Sequence, residues 1–342
     1  MNEPAPASTL IELISASWMS QAICAAAELN IADRLANGAK HVTELAVLTH
    51  SRPASLRRLM RALASLDLCA DGHDDSFDLT ATGALLRTDA VPSLRSWAIW
   101  WGRYRWPLPG ELRDCVQARR GEGPSATDRA GRARRDDDAA ASAVFNQAMV
   151  ELTRLAAVAV TRVRDFSTVG RLVDVGGGFG EMLVVLLAAY PRIQGVLFDL
   201  PSVIDGAAAH LDRAGVAERC ELVRGSFFDS VPGGGDVYLL KSILHSWNDE
   251  QSRTILRNCR RAMTRGAKLV LVERVMPVRM SPCPSARSAA RSDLHMLVGS
   301  GGVERTRAEF EALLGDAGFG AAEFNAAGLD HWVIEAAAIE IA

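Results

Sequence analysis

The chain predicts an α/β domain built on a mostly parallel sheet, preceded by an α-helical domain of winged-helix outline. Three observations carry this. From Val169 to the end, short β-branched runs alternate with helical spacing, the pattern of a largely parallel sheet with helices on both faces. A glycine-rich turn, Gly176-Gly177-Gly178-Phe179-Gly180, joins the first of those runs to the first helix. The first hundred residues are rich in Ala and Leu at helical spacing and end in a short strand, a polar turn and another short strand.

Taken in order, the N-terminal part predicts helices at Leu10 to Leu35, Val42 to His50 and Ser55 to Leu68, then the strand pair between Cys69 and Leu79. A winged-helix outline invites DNA binding, and the third helix carries Arg57, Arg58 and Arg61. The same helix carries Leu56, Leu59, Met60 and Leu63, and the domain lacks a broad basic surface, so a nucleic-acid partner is not expected. Trp97, Trp100, Trp101, Tyr104 and Trp106 then crowd one stretch. They either line a pocket for a flat substrate, with Trp101 among its walls, or serve as core or dimer surface. Residues 121–138 mix Gly, Pro, Ser and Arg before Asp136-Asp137-Asp138, which predicts a solvated loop leading into an acidic helix start. Helical spacing from Phe145 to Val163 predicts a helix bridging two domains. The expected division is 1–100, a linker of 101–165 that contributes to the substrate pocket, and 166–342. Strands are expected at 171–175, 194–199, 220–224, 237–241, 268–273, 321–325 and 331–336.

A chain of 342 residues with a net charge of −3 advertises neither a nucleic-acid nor an anionic-membrane partner. The first basic side chain is Arg34, and no unbroken apolar run reaches the length of a membrane span, so the chain reads as soluble and cytoplasmic. Its six cysteines are scattered without a Cys-x-x-Cys, which predicts free thiols, mostly buried, rather than zinc clusters or disulfides.

Ligands of such sheets collect beyond the C-terminal ends of the strands, so the residues there are the ones to read. Asp174 leads into the glycine turn, where backbone can approach a ligand closely and a new helix offers unpaired N–H groups. The glycines stand at 176, 178 and 180, and the dinucleotide fingerprint would place the third at 181, which is Glu181. That offset favours S-adenosylmethionine over a nicotinamide dinucleotide. Asp199 ends the next strand, about twenty residues past the glycines, where one carboxylate matches two ribose hydroxyls. Ser226 and Phe227 follow the third strand, and Phe227 either packs on an adenine ring or closes the core. Lys241 and then His245 follow the fourth. A histidine suits proton abstraction near neutral pH, and two acids could accompany it: Glu273 at the end of the fifth strand, and Glu304 in a turn before the helix beginning at Arg307. A carboxylate bonded to one imidazole nitrogen fixes the tautomer. Glu304 could instead pair with Arg305 or Arg307, or serve as a helix N-terminal charge.

In this order the residues resemble the small-molecule O-methyltransferases typified by plant caffeic acid O-methyltransferase and its bacterial relatives in secondary metabolism. The likeness spans nearly the whole chain: Trp18-Met-Ser-Gln-Ala, Ala27-Glu-Leu-Asn-Ile-Ala-Asp, Phe77-Asp-Leu-Thr-Ala-Thr-Gly, Phe145-Asn-Gln-Ala-Met149, Asp174-Val-Gly-Gly-Gly-Phe-Gly180, Phe198-Asp-Leu-Pro201, Lys241 to Glu250 with Leu-His-Ser-Trp at its centre, and Glu304-Arg-Thr306. The resemblance implies a class I, Rossmann-like methyltransferase sheet with an antiparallel last strand. It also implies a winged-helix domain for homodimerisation, in which the N-terminal segment of one copy can help close the other's pocket. It implies S-adenosyl-L-methionine as cofactor, leaving as S-adenosyl-L-homocysteine, held by the glycines, Asp199, Leu200, Phe227 and Lys241. His245 would be the base, flanked by Glu273 and Glu304, and Met149 would wall the acceptor. Trp247 belongs to the same motif as the base and is expected at the acceptor. His295 either lines the acceptor pocket or, with His245 and a carboxylate, offers metal ligands, and the resemblance implies no metal.

Two positions depart from the pattern: Ser226 replaces an Asp that reaches the adenine side, and Ser246 replaces an Asp after the base. The expected reaction is methyl transfer to a hydroxyl, phenolic by preference, of a small aromatic metabolite. The alternatives are a carbon or nitrogen acceptor, a family member using the cofactor for another reaction, and a DNA-binding regulator. The segment Pro277 to Ser292 reads as a specificity loop or a plain surface connection.

Overall fold

The computed structural model describes residues 5–117 and 138–339. They form two compact units, residues 5–107 with 138–152 and residues 108–117 with 153–339, so the boundary falls inside one long helix, Ala139–Val163. The polar stretch expected as a loop at 121–137 lies outside the described residues. Asp138 is described, and its Oδ1 accepts the Ala140 and Ala141 amides at 2.9 and 3.0 Å, opening the long helix as an N-cap does.

The first unit packs helices Ser17–Glu28, Val42–Leu48 and Pro53–Ser65 against a small antiparallel sheet in the order β1-β3-β2, with β1 at Lys40–His41, β2 at Cys69–Asp71 and β3 at Ser76–Leu79. Its core holds Ile31, Leu35, Val42, Leu45, Leu56, Met60, Leu63 and Phe77. The third helix therefore spends its apolar stripe on this core, and Arg57 pairs with Asp75. The first helix, Pro6–Ser15, buries no residue, and Leu10, Ile11, Leu13 and Ile14 are all exposed. In the aromatic stretch Trp100 is buried beside Tyr104 and Phe145, while Trp97 and Trp101 pair with centroids 5.3 Å apart. Trp97 and Trp101 line an apolar cavity of about 280 Å³ within this unit, together with Ile23, Leu85, Leu86 and Leu94.

The second unit is a seven-stranded sheet in the order β11-β12-β8-β7-β4-β5-β6. β4 (Arg171–Val175), β5 (Gln194–Asp199), β6 (Cys220–Arg224), β7 (Val237–Lys241) and β8 (Lys268–Glu273) run parallel. β12 (His331–Ala337) and β11 (Glu323–Gly328) are added antiparallel. Strand order reverses at β4, the switch point beyond whose strand ends ligands of such sheets bind. The two faces carry separate cores, one with Tyr238, Leu240, Ile255 and Phe310 and the other with Leu172, Leu186, Leu239 and Val270. A two-stranded parallel pair, β9 (Val275–Met276) with β10 (Arg305–Thr306), ties the end of β8 to the segment carrying Glu304.

Three expectations need correction. β11 covers Glu323–Gly328 rather than 321–325, because the reversal is made by Leu329 and Asp330, both at positive φ (52° and 61°). Such a two-residue turn matches the twist of its strands, and the strand runs on through Asn325 to Gly328. The thiols are all free, but Cys115, Cys220 and Cys283 are only partly covered, so half rather than most are buried. Two helical stretches, Pro6–Glu28 and Ala139–Val163, are long and apolar enough to cross a membrane by composition. Alanine-rich sequence raises the average without an unbroken apolar run. The second supplies Ala157 and Val160 to the core of the sheet unit.

Candidate active site

Glycine freedom shapes the loop after β4. Gly176, Gly178 and Gly180 have φ of 72°, 61° and 82°, a region closed to most side chains. A Cβ on Gly177 would stand 2.5 Å from Asp174 Oδ2. Asp174 itself is 1 % exposed beneath the loop, with Oδ2 unpartnered among the described residues. Burial first, and then the Asp199 charge, push its carboxyl up to about 7.

Asp199 is pinned at both oxygens: Gly178 N donates to Oδ2 at 2.8 Å and Leu200 N to Oδ1 at 2.7 Å. Each carboxylate oxygen retains a lone pair, and both stand beside the glycine loop. Leu200 is half exposed next to them. Ser226 Oγ accepts the Phe228 amide at 3.2 Å, so this hydroxyl caps its own turn. Phe227, Phe228 and Trp247 form an edge-on trio with centroids 4.8 to 6.0 Å apart, and Asn258 Nδ2 donates to the Phe227 and Phe228 carbonyls. Lys241 donates to Thr153 Oγ1 at 3.2 Å, and burial, then the Arg274 charge, bring its ammonium down to about 8. A positive-φ glycine cradle, a half-free carboxylate, an aromatic wall and a partly buried lysine fit the amino-acid, ribose and adenine parts of S-adenosylmethionine.

His245 sits on a single 3-10 turn, Leu244–Ser246, just after β7. Its Nδ1 is 3.1 Å from Glu304 Oε1 and 4.0 Å from Glu273 Oε2. Glu273 Oε1 instead accepts the Ile243 and Leu244 amides, both at 2.8 Å. Glu304 Oε1 also accepts from Ser292 Oγ at 2.6 Å, and its own amide donates to Asp293 at 2.9 Å. The ion pairs expected as alternatives for Glu304 are not formed: Arg305 pairs with Asp249 and Arg307 with Glu311. Burial alone would lower the His245 pKa, but the Glu273 charge and the hydrogen bond and charge of Glu304 outweigh it and hold the imidazole above its ordinary value. At Glu273, by contrast, burial prevails and raises the carboxyl. At Glu304 burial is outweighed by His245, Ser292 and Arg274, and the carboxyl is held low. One donor atom from each of the three lies within 4.8 Å of the others, a spacing that could also hold a metal ion.

Several supporting residues escaped the sequence reading. Arg305 is 1 % exposed and donates to the Leu244 and Trp247 carbonyls at 2.9 and 2.8 Å, gripping the His245 turn. Gly302 lies so close that a Cβ would meet His245 O at 2.1 Å. Glu181, 1 % exposed, meets Arg154 Nε at 2.5 Å and His210 Nε2 at 2.7 Å, joining the helix after the glycine loop to the helix after Asp199. Only a charged residue inside the apolar run Glu181 to Ala189 signals this in sequence. His295 stands one turn beyond Ser292 on Pro284–Gly299 and so shares its face. Met149 and Trp101 belong to the first unit, both half-buried.

Comparison with known proteins agrees with this geometry. Residues 110–320 match the O-methyltransferase domain model, and residues 11–89 match the O-methyltransferase dimerisation domain. Phenazine O-methyltransferase PhzM of Lysobacter antibioticus is 37 % identical over 314 residues, covering 91 % of this chain and 90 % of that one. The crystal structure of LaPhzM superposes with a TM-score of 0.90 at 35 % identity, over 98 % of this chain and all of that one. CalO1, a methyltransferase of calicheamicin biosynthesis solved with S-adenosylhomocysteine bound, superposes at 0.84 and 31 % identity, over 98 % and 99 % of the two chains. The dimerisation domain makes a homodimer the assembly. The chain belongs to the O-methyltransferase family, as an S-adenosylmethionine-dependent enzyme that methylates small-molecule hydroxyls and carries its own dimerisation domain.

Proposed function

We propose that the enzyme methylates a phenolic hydroxyl of a small aromatic secondary metabolite, with His245 as general base. The His245–Glu304 contact carries the reading. An imidazole whose Nδ1–H is held by a carboxylate presents Nε2 as a lone pair. A phenol with a pKa near 10 is mostly protonated at neutral pH, so a base at hydrogen-bond distance is needed as its oxygen becomes a nucleophile. S-adenosylmethionine, when bound, supplies a methyl already activated on a sulfonium. The chain's own contribution is then to hold and to deprotonate. Asp199, the glycine loop, Phe227 and Lys241 hold the cofactor. Glu304 orients the ring and steadies the imidazolium that forms, and Glu273 fixes the turn beneath it.

A relative named for phenazine O-methylation supports an aromatic acceptor, with Trp247 and His295 proposed to meet it. Six free thiols support work in a reducing compartment, the cytoplasm. Transfer of labelled methyl to a panel of hydroxylated aromatics tests this, with His245→Ala alongside. Label in an ether product that is lost in the variant is expected. Label on carbon or nitrogen, or transfer unaffected by the substitution, would refute the reading.

A further inference from the structure

The oxygen that orients the base is shared. Glu304 Oε1 accepts from Ser292 Oγ at 2.6 Å and lies 3.1 Å from His245 Nδ1, whereas Oε2 of the same carboxylate is buried and without a partner among the described residues. Two donors therefore crowd onto one oxygen while the other stands bare. The hydroxyl contact is the shorter of the two. The backbone of Glu304 is held from the same place, its N–H donating to Asp293 Oδ1 at 2.9 Å. Ser292 and Asp293 are consecutive residues of the helix Pro284–Gly299, so one turn of that helix fixes both the side chain and the backbone of Glu304.

An ionised carboxylate oxygen offers lone pairs only, so both of its partners must donate, and the neutral His245 ring must carry its proton on Nδ1. Nε2 is then the free base. A protonated Glu304 would reverse this: its O–H would donate to Nδ1, the neutral ring would carry its proton on Nε2, and the base would be quenched. Glu304 is 3 % exposed, and burial favours the protonated acid. Against burial stand His245, Ser292 and Arg274. The His245 charge exists only while the ring is protonated, and the neutral Nδ1–H donates from 3.1 Å without it. Arg274 Nη1 is 3.9 Å from Oε1, beyond hydrogen-bond distance. The other acids about it, Glu273 and Asp293, work against a further ionised carboxylate. The Ser292 hydroxyl is thus the short bond that favours the ionised carboxylate while the ring is neutral and ready to take a proton.

We propose that Ser292 is a positioning residue of the reaction: its hydroxyl holds Glu304 Oε1 as a pure acceptor, and so holds His245 in the tautomer whose Nε2 is free to take the acceptor's proton. The catalytic consequence rests on the reading of His245 as general base. The effect on the tautomer stands apart from it.

The test is long-range proton–nitrogen NMR of the S-adenosylhomocysteine-loaded enzyme labelled on its histidine nitrogens, at a pH where the ring is neutral, in the wild type, Ser292→Ala and Ser292→Thr. The His245 signals are assigned from their absence in His245→Ala. The wild type should show the Nδ1–H tautomer, Ser292→Ala should populate the Nε2–H tautomer, and Ser292→Thr, which keeps the hydroxyl, should stay with the wild type. In steady-state methyl transfer, kcat of Ser292→Ala should fall about tenfold, the worth of one hydrogen bond to a charged group, with both KM values little changed and most of the loss restored in Ser292→Thr. An alanine variant whose His245 keeps Nδ1–H overturns the proposal whatever its rate, and so does a loss confined to KM. Transfer that survives in His245→Ala counts against His245 as the base, while the tautomer seen in Ser292→Ala still decides whether Ser292 sets it.

Discussion

Glu273 holds the turn that carries His245 without bonding its ring: its Oε1 accepts the Ile243 and Leu244 amides at 2.8 Å, while Oε2 stays 4.0 Å from Nδ1. Among the described residues Glu304 makes the one direct carboxylate bond to that ring, at 3.1 Å. The two acids flanking the base therefore do different work, one on its backbone and one on its tautomer.

Glu304→Gln should lower kcat by about 10², because the bond that fixes the imidazole tautomer loses its charge. Glu273→Gln keeps an oxygen for the two amides and should cost about tenfold. Steady-state kinetics at saturating cofactor separate them, and equal losses would contradict the division of labour.

The pH profile follows from the raised His245 pKa. Catalysis needs the neutral ring, so kcat should rise with pH and reach half its plateau above the ordinary histidine value of about 6.5. Removing either acid's charge should move that midpoint down, since Glu273 and Glu304 are the groups that raise it. A midpoint that moves up in Glu304→Gln would mean that the titration belongs to another group.

Gly302→Ala should place a methyl 2.1 Å from His245 O and 2.7 Å from Ser246 C. These are backbone atoms that cannot rotate away, so the base must move. A displacement near 1 Å costs about 10² in rate. The loss is expected in kcat, with S-adenosylmethionine affinity kept, and a parallel loss of cofactor affinity would place the damage elsewhere.

Asp199→Asn replaces an oxygen that accepts a backbone amide by an NH₂ group, against Gly178 or Leu200. The KM for S-adenosylmethionine should rise about tenfold or more, with acceptor KM little changed. Direct titration with S-adenosylhomocysteine checks the same loss without turnover.

Glu181→Gln should destabilise the fold by about 3 kcal/mol, since Arg154 and His210 lose a buried partner. Burial works against the Glu181 charge, but bonds to His210 and Arg154 prevail and hold its carboxyl below the ordinary value. A depressed folded pKa stabilises above the unfolded value and loses that contribution as pH falls through the folded one. The gap between wild type and variant in urea unfolding should therefore be full near neutrality and shrink below about pH 4.5; a gap that widens on acidification would reverse the assignment.

Local chemistry made much of this legible. Strand–glycine–helix at Asp174 to Glu181 and the alternation after Val169 identify the sheet and the cofactor end of it, because periodicity and positive-φ glycines act within a few residues. The Glu304 contact with His245 is not local. It depends on the β9–β10 pairing, which brings residues 305–306 beside 275–276, and no spacing in the chain announces it.

The sequence by itself determined the strand-and-helix alternation, the loop where backbone can meet a ligand, and which residue types could take a proton. Only the tertiary structure decided which carboxylate bonds the base, that Arg305 and Gly302 grip its turn, and that Glu181 braces two cofactor helices. Periodicity is written in neighbours three or four residues apart, whereas a buried charge is balanced by whatever group the fold brings within a few ångströms. That proximity belongs to the packed chain.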